Sequence, residues 1–140
     1  TQAMFGDDPD LFFGSSHQMP LYPGTGKRGE RGRGNIHNAP LPPGAGSHEF
    51  RQAWDNEILP ALEAFQPGFI FISAGFDAHR ADPLANLNLT EEDFAWVTRR
   101  LCRIAGAACD GRIVSTLEGG YDLVALAESA AAHVAALMEH

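Results

Sequence analysis

Two segments of the chain contain the residue types that could carry chemistry. Residues 73–79 read SAGFDAH and include the carboxylate of Asp77, and residues 117–122 read LEGGYD and include the phenol of Tyr121. Carboxylate oxygens bind zinc at about 2.0–2.2 Å. A tyrosine hydroxyl can donate a hydrogen bond to the oxyanion that forms when a carbonyl is attacked. The two groups together indicate metal-assisted hydrolysis.

Each of these groups also has a simpler explanation. Asp77 could cap a turn or the segment that follows it, and Tyr121 could be an ordinary loop residue. Gly119 and Gly120 precede the tyrosine, and two glycines let the backbone turn tightly enough to bring a phenol close to a bound group. Such a turn is weak evidence by itself, so the interpretation depends on the elements around it.

Three apolar runs predict the strands that would position these residues. Residues 69–72 (FIFI) form a continuous apolar run, as expected of a central parallel strand that is covered on both faces. Residues 112–117 predict a strand that ends at the second segment, and residues 11–15 (LFFGS) predict a short buried strand. Ligands of open α/β sheets bind beyond the carboxyl ends of the strands, where Asp77 and Tyr121 are expected to lie.

Helical patterns lie between and after these strands. Apolar residues from Phe50 to Phe65 keep helical spacing after a plausible N-cap at Ser47, and Pro60 predicts a kink or a new start near Ile58 or Leu59. A second helix is predicted from the capping-box-like residues 90–93 to about 110, and an alanine-rich third from about 123 to 138. Residues 19–46, dense in glycine and proline, predict a long irregular loop, and residues 77–89 a second loop.

The alternation of strands and helices predicts an α/β fold with a doubly wound parallel sheet. A chain of 140 residues is one domain by length, so residues 1–140 are treated as a single unit.

Composition excludes several classes of function. The formal net charge of −8 argues against general affinity for nucleic acid, which needs a concentrated basic surface. No apolar run reaches the roughly 20 residues of a membrane span, and no secretory signal is visible, so no membrane partner is expected. Cys102 and Cys109 are seven residues apart in a helical pattern and are expected to be reduced core residues of a cytoplasmic protein.

Several motifs, in order, resemble the histone deacetylase superfamily, most closely its class II and bacterial acetylpolyamine-amidohydrolase-like branch. The two segments above are joined by Asp82-Pro-Leu84, by Ser15-Ser-His17, by residues 21–26 and by residues 34–41 (GNIHNAPL). The resemblance implies an arginase/deacetylase-type fold. It further implies zinc-dependent removal of acetyl groups from acetyl-lysine or acetylated polyamines.

The resemblance also assigns site residues by position. Asp77 is similar to the third zinc ligand of the family, and Tyr121 to the tyrosine that polarises the acetyl carbonyl. Tyr22 matches an aromatic wall of the acyl-lysine tunnel, Leu84 a residue of its rim, and Gly119 and Gly120 the wall beside the tyrosine. Two structural potassium sites are implied, one that includes Ser15 and Ser16 and one lined by Phe5, Asp8, Leu11 and Asn35.

The Asp-x-His motif that carries two zinc ligands in the family does not occur in these residues, and neither does the earlier His-His pair that provides its general acid and base. The chain therefore resembles the C-terminal part of a deacetylase catalytic domain, and the isolated chain is expected to be inactive. Local histidines could replace the missing ligands, and the candidates are His17, His37, His48 and His79. Of these, His79 is the strongest candidate because it lies two residues after Asp77. A surface position, or one behind the metal ligands, explains His79 better, and His133 and His140 have no metal-binding companions.

Two alternatives of other classes stay open. A parallel sheet that lacks its first strands exposes an edge, so a non-catalytic, metal-free chain that forms homo-oligomers is one. The basic, glycine-rich residues 24–34 could instead contact RNA, although the acidic total charge and the absence of interleaved aromatic residues oppose this. Residues 24–27 (GTGK) do not complete a phosphate-binding loop, because the required first glycine is absent and Arg28 replaces the serine or threonine after the lysine.

Overall fold

The computed structural model describes residues 1–21 and 24–140, and its elements alternate as the sequence predicts. The strands are β1 (Phe13–Gln18), β2 (Ile36–Leu41), β3 (Ile70–Ala74) and β4 (Ile113–Leu117). The helices are α1 (Gln2–Phe5), α2 (Ser47–Ala53), α3 (Leu59–Phe65), α4 (Glu91–Cys109) and α5 (Leu123–Met138), with a π-helical turn (Trp54–Ile58) between α2 and α3.

The strands form two parallel pairs. Strand β1 pairs with β2 from Phe13–Ile36 to Gln18–Leu41, and β3 pairs with β4 from Ile70–Ile113 to Ala74–Leu117. Over the described ranges, strand hydrogen bonds do not join one pair to the other. Helix α4 connects β3 to β4, and α2 and α3 lie between β2 and β3, whereas no helix lies between β1 and β2 in the described residues. The two parallel strand pairs and these helices confirm the α/β fold class.

Two predictions about the N-terminal half are wrong. The first strand covers Phe13–Gln18 rather than residues 11–15, and the predicted loop 19–46 contains strand β2. The β2 segment reads IHNAPL, in which asparagine and proline are depleted in strands. Pairing with β1 and burial of Ile36, Ala39 and Leu41 outweigh that local preference.

The helices agree closely with the prediction, except that α2 begins at Ser47 with Gly46, and not Ser47, at its N-cap position. Helix α3 begins at Leu59, after the π-helical turn and with Pro60 in its first turn, which confirms the predicted restart. Helix α4 begins after Thr90, whose backbone N–H donates to the Asp93 carboxylate at 3.0 Å. Cys102 and Cys109 are buried free thiols, as predicted. No helix in the described part of the chain is long and apolar enough to cross a membrane.

The carboxylate of Asp93 is fully buried and joins α2 to α4. It accepts hydrogen bonds from Ser47 Oγ at 2.6 Å and from Arg51 Nε at 2.8 Å, in addition to the bond from Thr90. A buried carboxylate is tolerated when it is paired and hydrogen-bonded. The contact with α2 was not predicted from the sequence, because Ser47 and Arg51 lie more than 40 residues away from Asp93 along the chain.

Helices cover only one face of the β3–β4 pair. Ile70 and Ile72 pack with Leu101, Ile104 and other residues of α4 in a continuous apolar cluster. On the opposite face, Phe71 is 62% exposed and its register partner Val114 is also exposed. The prediction that this strand is covered on both faces is therefore wrong within the described residues, because both long C-terminal helices pack on the same side.

A buried histidine ties the two long helices to β4. Thr98 Oγ1 donates its hydrogen to Phe94 O at 2.6 Å, so it accepts from His133 Nδ1–H at 2.7 Å. His133 Nε2 then accepts from Ser115 Oγ at 2.8 Å. This pattern fixes the neutral ring in the Nδ1–H tautomer, and burial lowers the pKa of His133 below its usual 6.5.

We expect His133 to make stability depend on pH. The unfolded chain binds a proton near pH 6.5, whereas the folded chain resists protonation, so the contribution of His133 is complete above pH 6.5 and declines as the pH falls toward the folded pKa. The substitution His133→Gln should cost about 1–3 kcal/mol at about pH 7.5 and less at about pH 5.5. Urea unfolding followed by the fluorescence of Trp54 and Trp96 measures both values. An equal difference between the two proteins at both pH values would contradict this role.

Candidate functional site

The register of β3 and β4 brings the two chemistry-bearing segments together. The strands end at the same level, since Ala74 is the partner of Leu117. Beyond the strands, Glu118 N donates to Ala74 O at 2.9 Å and Phe76 N donates to Gly119 O at 2.8 Å. Residues 75–77 and 118–120 therefore run side by side at the carboxyl edge of this strand pair, as the sequence predicts for a site at the rim.

The carboxylate of Asp77 lies directly against Gly119. A Cβ atom at position 119 would be 2.9 Å from Asp77 Cγ and 3.0 Å from each of the two carboxylate oxygens. Only glycine leaves this space free without moving the carboxylate. Desolvation raises the pKa of Asp77 above its ordinary value, and the neighbouring charges of Asp82 and Glu118 raise it further. A cation bound beside this carboxylate would therefore stabilise its ionised form.

The turn before Tyr121 depends on Gly120. Its φ is +143°, a conformation that favours glycine, and a Cβ atom there would lie 2.9 Å from Leu126 Cδ1. After the tyrosine, Asp122 caps α5 by accepting a hydrogen bond from Ala125 N at 2.8 Å. Tyr121 is therefore held between a tight turn and a helix start, while its side chain is 56% exposed at the rim.

A third carboxylate, Asp82, links the two loops of the site. Its Oδ2 accepts from Tyr121 N at 2.8 Å and its Oδ1 accepts from Leu84 N at 2.9 Å. In the sequence, Asp82 is only part of a motif that resembles the family, with no predicted role. Its bond to Tyr121 joins residues 39 positions apart, so no local pattern indicates it.

The local histidines are engaged elsewhere. His79 is buried, so the predicted alternative of a surface position is wrong. Its Nδ1 accepts from Ala81 N at 3.1 Å, so Nε2 carries the hydrogen and faces Glu91 at 3.4 Å. His17 donates from Nε2 to Gly26 O at 2.9 Å and accepts from Ser15 Oγ at 3.0 Å. Neither ring has a free nitrogen for a metal beside Asp77.

Asp77 fits the carboxylate position of a zinc site, whereas the described residues do not complete one. Within residues 1–21 and 24–140, no group of three or more histidine, cysteine, aspartate or glutamate side chains is arranged to hold a metal ion. A catalytic zinc normally takes three protein ligands and a water molecule. Among the described residues, Asp77 is the candidate for one of these ligands.

The residues predicted for one potassium site are brought together. The main-chain carbonyls of Phe5, Asp8 and Leu11 converge on Asn35, whose Nδ2 lies 3.0, 2.9 and 2.9 Å from their oxygens. The amide nitrogen therefore occupies the point at which the three carbonyls meet.

The other residues assigned by position are separate from that group. Ser16 Oγ accepts from Trp54 Nε1 at 3.0 Å, and Ser15 bonds His17. Tyr22, the predicted aromatic wall of a tunnel, lies outside the described residues.

Comparisons with known proteins support a single family. Residues 1–137 match the Histone deacetylase domain family. The chain is 47% identical over 131 residues to Histone deacetylase 10, chloroplastic, of Oryza sativa subsp. japonica, a match that covers 91% of this chain and 30% of that protein. It is 46% identical over 127 residues to a Probable deacetylase of Archaeoglobus fulgidus, covering 88% of this chain and 35% of that protein.

A solved structure agrees with these relatives. The crystal structure of the HDA15 HD domain has a TM-score of 0.90 to this chain at 34% identity, over 99% of this chain and 40% of that one. The chain thus spans about a third of the length of the curated relatives it matches.

The contact between Asp77 and Gly119 predicts an asymmetry between two glycine substitutions. Gly119→Ala should destabilise the fold by about 1–3 kcal/mol, because the added methyl group overlaps the Asp77 carboxylate. Gly68→Ala is the matched control, since a Cβ atom at position 68 has nothing within 4 Å. Thermal unfolding of both variants, alone and combined with Asp77→Ala, measures the effect. The cost at position 119 should shrink once the carboxylate is gone, and equal costs with and without Asp77 would contradict the contact.

Proposed function

The chain belongs to the Histone deacetylase domain family, and we propose that its protein removes acetyl groups from acetyl-lysine or acetylated polyamines by zinc-dependent amide hydrolysis. One observation carries the proposal. The half-buried Asp77 carboxylate and the exposed Tyr121 lie at the same edge of the β3–β4 pair, on two loops joined by the bond from Phe76 N to Gly119 O.

Tyr121 would stabilise the charge that develops on the amide oxygen. A donor held in advance at the site of a forming oxyanion needs no reorganisation during the reaction. The main chain of Tyr121 is held by Asp82 on one side and by the start of α5 on the other, whereas its side chain is 56% exposed. A fixed backbone with an accessible side chain suits such a donor.

Asp77 would supply one zinc ligand, and residues other than the described ones would supply the rest. When bound, zinc supplies a Lewis acid and an activated water molecule. The part that this chain plays is to hold a partly desolvated carboxylate at the rim, in a space that Gly119 keeps open.

The substrate would lie against the rim that the two loops form. Leu84 is exposed at the rim and anchored to the same carboxylate as Tyr121, which supports a substrate contact for it. Gly119 and Gly120 form a wall without side chains beside the tyrosine, and Tyr22 would add an aromatic wall. An acyl-lysine side chain is long and narrow, so such a lining suits it.

Potassium is a further part of the proposal. Carbonyl oxygens that converge on one point are the ligands that potassium prefers. The carbonyls of Phe5, Asp8 and Leu11 converge in this way, and the Asn35 side chain would have to rotate aside to admit the ion. For Ser15 and Ser16, potassium binding rests on the family resemblance alone.

The chain by itself has a second candidate role, as a self-associating and non-catalytic piece. The observation that favours it is the exposed apolar face of Phe69, Phe71 and Val114. Contiguous apolar surface of this kind marks a contact with another protein surface.

We expect the isolated chain to elute as a dimer or larger species in size-exclusion chromatography with light scattering. Replacing Phe71 and Val114 by polar residues should shift it toward the monomer, because both side chains lie on the uncovered face. A monomer at all concentrations in the unsubstituted chain would reject self-association.

Removing the Tyr121 hydroxyl tests the proposed enzyme. In the full-length protein, Tyr121→Phe should lower turnover of an acetyl-lysine peptide by roughly 10²–10³, the usual cost of one oxyanion donor. Zinc content should stay unchanged in this variant and should fall in Asp77→Ala, as measured by elemental analysis after dialysis. Glu128→Ala, which removes an exposed carboxylate from α5, is the control for both measurements. Unchanged turnover in Tyr121→Phe would remove the assigned role.

A further inference from the structure

The carboxylate of Asp82 is unusual in its surroundings. The residue is only 7% exposed, and both oxygens accept from backbone N–H groups, those of Tyr121 and Leu84. Among the described residues no arginine, lysine or histidine forms an ion pair with it. A buried carboxylate without a cation is costly, so its two hydrogen bonds have to be made and kept.

The two donors belong to different parts of the site. Leu84 lies in the loop that follows β3, and Tyr121 lies in the turn that follows β4. An asparagine at position 82 could accept only one of the two bonds, because its nitrogen would face the other N–H group as a second donor. A carboxylate offers one acceptor oxygen to each of the two N–H groups. The need to accept a hydrogen bond from both Tyr121 and Leu84 thus explains why position 82 is an aspartate.

Tyr121 and Leu84 both have exposed side chains, whereas their main-chain N–H groups are bonded to Asp82. Tyr121 and Leu84 are each more than half exposed, so packing alone does not fix where their side chains stand. The hydrogen bonds to Asp82 instead fix the main chain from which each side chain extends. The main chain of Asp82 is itself held, since its N–H donates to His79 O at 2.9 Å.

We propose that Asp82 is a positioning residue, which fixes the distance between the oxyanion donor Tyr121 and the substrate-rim residue Leu84. The inference rests on the proposed function of Tyr121. Asp82 touches neither the substrate nor the reacting atoms and acts through the backbone of the two residues that do.

A double-substitution cycle in the full-length protein tests this role. Asp82→Ala removes both bonds and should lower kcat for an acetyl-lysine peptide by about 10–10²-fold, because a displacement of about 1 Å at a catalytic group has an effect of this order. In the Tyr121→Phe background the same substitution should lower kcat by less than about 3-fold, because the group that it positions has lost its hydroxyl. Asp93→Asn alters another buried carboxylate, between α2 and α4, and should give the same fractional change in both backgrounds.

The outcomes separate this inference from the proposed function. If Tyr121→Phe alone leaves kcat unchanged, the oxyanion role fails whatever Asp82 does. If Tyr121→Phe lowers kcat but Asp82→Ala lowers it equally in both backgrounds, Asp82 does not act through Tyr121 and the inference is overturned. Zinc content, measured on every variant, identifies a loss of kcat that comes from Asp77.

A second measurement needs no substitution and decides the case if Asp82→Ala does not fold. Hydrogen exchange of the unsubstituted protein should show the N–H groups of Tyr121 and Leu84 protected, despite the exposure of both residues. Exchange of both at the rate of a free loop would show that Asp82 does not hold them and would overturn the inference.

Discussion

The site depends on the register in which β3 pairs with β4. Parallel strands that end at the same residue pair, Ala74 with Leu117, deliver the following loops to one edge at one height. A slip by one residue would invert every side chain of a strand and would move Asp77 away from Gly119. This register is held by apolar contacts between the buried face of β3 and α4, and by the hydrogen bond from Ser115 of β4 to His133 of α5.

Four aspartates lie in or near the loops of this edge, and the role of each follows from its hydrogen-bond and charge partners. Asp93 is fully buried beside Arg51, and Asp122 caps a helix, so both stabilise the scaffold. Asp82 uses both of its oxygens on backbone donors and joins two loops. Asp77 differs from all three. Burial raises its pKa, the charges of Asp82 and Glu118 raise it further, and Gly119 leaves room for the carboxylate. A carboxylate left in this state at the end of a strand is suited to a cation.

The β3–β4 pair has one covered and one uncovered face. One face is packed by α4, while Phe71 and Val114 on the other are exposed. Among the described residues, no group of three or more potential metal ligands is arranged to hold an ion, whereas a catalytic zinc normally takes three protein ligands. The proposed hydrolysis would therefore take its remaining zinc ligands from outside the described residues.

The sequence by itself determined the C-terminal half of the protein. Continuous apolar runs, a capping box and an alanine-rich helix are local signals, and β3, α4, β4 and α5 lie where those signals predict. The motifs around Asp77 and Tyr121 also identified the family. Only the tertiary structure decided that β2 is a strand, because its IHNAPL sequence has weak local preference and depends on pairing with β1. It also decided that His79 is a buried structural residue and that Asp82 holds Tyr121. Those contacts join residues that are distant along the chain or depend on loop conformation, and neither spacing nor composition records them.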